Sequence, residues 1–67
     1  MSIDLALRFL GDVVVRQGAA DADCDRDSLA IHIIDAMHVP IHTLPTLNPH
    51  ELAALGCAYA TREARGV

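Results

Sequence analysis

Four charges near the start of this chain do most to limit how it can fold. Asp4, Arg8, Asp12 and Arg16 alternate in sign at four-residue intervals. At about 100° per residue each step drifts ~40° around a helix, so the four form one narrow acid–base stripe. Around them stand Ile3, Leu5, Ala6, Leu7, Phe9, Leu10, Val13, Val14 and Val15, with Gly11 the only other residue. The β-branched run Val13-Val14-Val15 suits a strand locally, but the charge spacing is helical. Such a helix is apolar around roughly two thirds of its circumference, far more than the ~100° stripe of an ordinary surface helix. A small domain can hardly bury so wide a face alone, which implies a partner.

Chain length sharpens the point. Sixty-seven residues make a single helical domain, 1–67, and a chain of this size buries only ~60% of the surface it exposes when unfolded. Yet 52% of the residues are hydrophobic, and oligomerisation or complex formation is the usual resolution of that conflict. Phe9 and Tyr59 are the only aromatics, so the core is filled by Leu, Ile, Val and Ala. A pocket deep enough for a small substrate is hard to enclose in so little protein, and no enzymatic role is expected.

Charge narrows the partner. The net charge is −4, with five arginines and no lysine, which disfavours a nucleic-acid ligand, whose affinity comes from neutralised phosphates. Arg62 and Arg65 complement the end of the last helix instead. The four charges also interrupt the best candidate for a ~20-residue membrane span. The start Met-Ser-Ile-Asp lacks the basic region of a secretory signal. Cys24 and Cys57 therefore read as reduced thiols in the cytoplasm.

Three helices are expected, about 3–17, 28–38 and 49–65, an all-α fold completed by dimerisation. Gly18 follows the first, as glycine does at helix ends. The second takes Asp27 or Ser28 as its N-cap and is stopped by Pro40. Ile41–Leu47, with Pro45 inside it, reads as an extended connection. The third opens on Asn48, Pro49 and Glu51 in N-cap, N1 and N3 positions. Along it Ala53, Gly56, Cys57, Ala60 and Ala64 make a strip of small residues beside a ridge of Leu52, Leu55 and Tyr59. Small residues permit close helix approach, either to another part of this chain or to a partner. The interface residues expected are Ile3, Leu7, Leu10, Val14, Ala53, Gly56 and Ala60, with Leu7, Leu10 and Val14 serving as interface or core anchors.

Other chemistry finds little support in the spacing. The run Asp21–Asp27 offers calcium-type oxygens, but a loop started at Asp21 puts Arg26 and His32 where glycine and a closing glutamate belong. His32, His38, His42 and His50 lack tight zinc spacing with each other or with the cysteines. No metal or cofactor is expected. Cys24 lies among aspartates, which raise rather than lower a thiol pKa.

Asp27-Ser28-Leu29 at a helix start resembles the Asp-Ser-Leu motif of acyl carrier proteins, which are also small, acidic and helical. The resemblance implies Ser28 as a phosphopantetheine attachment site. The second helix and the connection before it are both shorter than in that family. A helix-turn-helix reading of the last two helices meets a connection longer than the usual 3–4-residue turn. The function expected is that of a small acidic helical module that binds a partner protein and regulates or inhibits it, as a homodimer. A DNA-binding regulator and a truncated carrier modified at Ser28 are the alternatives.

Overall fold

The computed structural model describes residues 2–66. Among them the chain is all-helical, 72% helix with no strand. Three α-helices, α1 (Ile3–Arg16), α2 (Arg26–Ala36) and α3 (Pro49–Ala64), are joined by a loop and by a 3-10 helix over Ile41–Thr46.

The wide apolar face of α1 makes it the centre of the fold. It packs against α2, against α3 and against the 3-10 helix, while α2 and α3 meet each other only thinly. Ala6, Leu7, Leu10 and Val14 are buried together with Ala30, Ile33 and Ile34 of α2, Leu44, and Leu52 and Tyr59 of α3. Two neighbours thus cover opposite flanks of one helix, which is how a chain this short buries so broad a face. Burying one such aliphatic side chain contributes about 1.5–3 kcal/mol.

Glycine sets the closeness of both contacts. A Cβ on Gly11 would run into the backbone carbonyl of Arg26 at the start of α2. One on Gly56 would stand 2.7 Å from Val13 Cγ1. The small-residue strip of α3 therefore touches α1 of its own chain at Gly56.

Local chemistry explains the helix ends. Ser2 Oγ accepts the amide proton of Leu5, closing the N-terminus of α1. Its C-terminus ends in a left-handed turn at Gly18 (φ 77°), with Ala19 N–H donating to Val14 O at 3.2 Å and Gly18 N–H to Val15 O at 2.9 Å. α2 closes in the same way, Val39 N–H on Ile34 O and His38 N–H on Asp35 O, but the left-handed position holds His38 (φ 59°) rather than glycine. At the start of α3 the Asn48 side chain accepts from Glu51 N–H at 2.8 Å, while Glu51 accepts from Asn48 N–H at 3.0 Å.

Both bounds of α2 and the state of segment 41–46 differ from the sequence reading; α2 ends at Ala36 rather than at 38, before the left-handed turn at His38. α2 starts at Arg26 with Asp25 as its cap, ahead of Asp27 and Ser28, because the Ser28 hydroxyl donates to Asp25 at 2.8 Å and draws the first turn forward. The segment 41–46 is a 3-10 helix rather than an extended connection. Pro40 precedes it, Thr43 and Thr46 hydroxyls donate to carbonyls three residues back, and Leu44 is fully buried beneath it.

Candidate interaction surface

With the inner face of α1 spent on the core, its outward face carries what is left. Leu5 is 58% exposed, the most exposed large hydrophobic residue of the described chain, ahead of Ile31 and Ile41. Leu5, Arg8, Phe9, Asp12 and Arg26 line a shallow groove of about 480 Å3. Positions 5, 8, 9 and 12 share a face because i+3, i+4 and i+7 return to the same side of a helix. The groove therefore has an apolar floor, exposed Leu5 and half-buried Phe9, and a charged rim.

Arg26 builds one wall. At the first position of α2, its guanidinium turns back to donate to Ala22 O at 2.9 Å and Cys24 O at 2.8 Å. Its Nε donates to Asp12 Oδ1 at 3.5 Å. Asp12 also pairs with Arg16 at 2.8 Å. One arginine thus fastens the acidic loop to α1 and sets the position of α2. Arginine suits the task because its planar fork offers several donors in fixed directions.

The acidic loop is internally ordered. Asp21 Oδ1 accepts from Asp23 N–H and Asp21 O from Cys24 N–H. The Ser28 hydroxyl first, then the amides of Asp27 and Ser28 and the Arg8 charge, hold the Asp25 carboxyl below the usual carboxylate range, against opposing desolvation. Among the described residues, no group of three His, Cys, Asp or Glu side chains is arranged to hold a metal ion.

Of the seven residues expected at an interface, Leu7, Leu10, Val14 and Gly56 are buried inside the chain. Leu7, Leu10 and Val14 are core anchors, the second of the two roles expected for them. Ile3, Ala53 and Ala60 are half-buried at the edges of α1 and α3. Of the charged stripe, Asp4, Arg8 and Arg16 are exposed and Asp12 is half-buried. Sequence reasoning missed Leu5 and Phe9 as its apolar companions; at 100° per residue Leu5 falls among the stripe charges, a signal present in the sequence. Arg26 was hidden by its acidic neighbours.

The far side holds a smaller constellation. His32 and Tyr59 meet edge to face with centroids 6.3 Å apart, and Tyr59 donates to Glu63 at 3.1 Å. Burial first, then the Glu63 contact, pushes the phenol pKa up. Arg62 donates to Ala36 O at 3.0 Å, tying the end of α2 to α3. Cys57 is exposed and Cys24 half-buried, both as free thiols. Among the described residues, no helix is long and apolar enough to cross a membrane.

No family model matches the chain, and no characterised protein or solved structure is significantly similar to it.

Proposed function

We propose that this protein is a small helical interaction module that binds a partner protein through the outward face of α1 and modulates that partner's activity, without catalysis of its own, in the cytoplasm. The observation that carries the reading is Leu5, 58% exposed beside Phe9 in a charge-rimmed groove. Apolar floors with polar rims are the common anatomy of protein contact sites, and a large exposed side chain at their centre supplies most of the affinity. The net charge of −4 favours a protein partner over nucleic acid.

A photocrosslinking amino acid in place of Leu5, compared in living cells with the same group at exposed Ala58, tests this. A defined adduct from position 5 and none from position 58 supports the reading. Equal adducts from both positions, or none from either, count against it.

A second reading rests on Ser28. Its hydroxyl is exposed in the first turn of α2 and hydrogen-bonded to the Asp25 carboxylate, an arrangement open to modification of the carrier type. A mass increase on Ser28 after incubation with coenzyme A and a phosphopantetheinyl transferase is its test; an unchanged mass removes it.

A further inference from the structure

We propose that the outward face of α1 is covered by the same face of a second copy, with the two α1 helices antiparallel across a twofold axis. This rests on the reading that the face is a docking surface and gives it an occupant in the isolated protein, which a partner protein would displace.

The argument begins with charges left over. Asp12 is paired with both Arg16 and Arg26. Asp4 and Arg8, one turn earlier on the same stripe, are both exposed, and neither makes an ion pair among the described residues. The Arg8 charge is the smallest of the causes that lower the Asp25 pKa. One unspent anion and one unspent cation therefore flank exposed Leu5.

Two antiparallel copies match these groups. With Arg8 opposite the second copy's Asp4, the two Arg8 side chains stand four residues, ~6 Å along the axis, apart, while Leu5 lies two residues, ~3 Å, from the second copy's Leu5. The twofold repeats the pair. A parallel arrangement would set Asp4 against Asp4 and Arg8 against Arg8, which repel.

Sedimentation equilibrium of the full chain, of Asp4→Arg, of Arg8→Asp and of their equimolar mixture tests the proposal. Circular dichroism melts check that each variant folds, as expected for exposed side chains without intrachain ion pairs. The native chain should dimerise reversibly, and each single swap should weaken this about tenfold or more, since two reciprocal pairs are lost together. The mixture should form a mixed dimer tighter than either variant alone, because one copy then offers two cations and the other two anions. A native chain that stays monomeric overturns the proposal. So does a dimer indifferent to both swaps, or a mixture no tighter than its components. A monomer that still yields a Leu5 adduct with a different protein would refute the second copy while leaving the docking reading intact.

Discussion

Replacing Gly11 by alanine sets two effects of known sign against each other. Alanine inside a helix is favoured over glycine by about 0.5–1 kcal/mol, so on propensity alone the variant is more stable. The added Cβ, however, would meet the Arg26 carbonyl oxygen, with the carbonyl carbon and Cα each at 3.0 Å. These are backbone atoms, so no rotamer change relieves the clash. Nor can α2 slide away freely, since Arg26 is fastened to Ala22, Cys24 and Asp12. Retreat would also part Ala30, Ile33 and Ile34 from the α1 residues they share a core with. Overpacking of this kind costs about 1–3 kcal/mol, and the rigid neighbour places it at the upper end. The net expectation is a loss of about 2 kcal/mol, or a fall in Tm of roughly 8–16 °C for a domain of this size. Thermal and urea melts by circular dichroism measure it. Gly56→Ala is the comparison, because there the nearest atoms belong to the half-buried Val13 side chain, which can yield, and the loss should be smaller. A Gly11→Ala chain with unchanged or raised Tm would refute the claim that glycine sets the α1–α2 spacing.

Three further outcomes follow from the contacts. Arg26→Lys should cost about 1–2 kcal/mol and speed hydrogen exchange at residues 20–25, because a lysine has one point of attachment where the guanidinium has several; exchange unchanged from the native chain would argue against that role. His38→Gly should stabilise by about 1 kcal/mol, since His38 occupies the left-handed position that Gly18 fills at the end of α1, and a lowered urea midpoint would contradict this. Tyr59 is the lone tyrosine, so alkaline ultraviolet titration reads it directly. Its midpoint should lie above the ordinary ~10 and move down, though not fully back, in Glu63→Gln, because burial is the larger cause. A group whose pKa is raised by folding stabilises below its unfolded pKa and stops doing so as pH climbs through the folded one. The native chain should accordingly lose stability above pH ~10 by a component that Tyr59→Phe lacks.

Much of the fold was legible because its signals are local. The Asn48–Glu51 capping box and the glycines at 18 and 66 act within a few residues, and the ends of α1 and α3 lie within one residue of those expected. The start of α2 was misplaced because three aspartates and a serine compete as caps, and only the Ser28–Asp25 hydrogen bond decides among them. The 3-10 helix was hidden by Pro40 and Pro45, which mark breaks in an α-helix yet are compatible with tighter turns. Leu44 is buried because of where that turn sits in three dimensions, which no local periodicity encodes. For the surface, the breadth of the apolar face on α1 was visible. That two flanking helices would consume its inner part was not, since this depends on Gly11 and Gly56 admitting both at close range.

The central position of α1 also bears on how the chain is made. α1 leaves the ribosome before either of its packing partners, presenting Leu7, Leu10 and Val14 to solvent while its companions are still being translated. α2 and α3 barely support each other, so neither has a core to join until it reaches that first helix. Synthesis therefore passes through an interval in which this helix is made and neither of the two that cover it is, with the alternating Asp4–Arg16 charges as its polar surface.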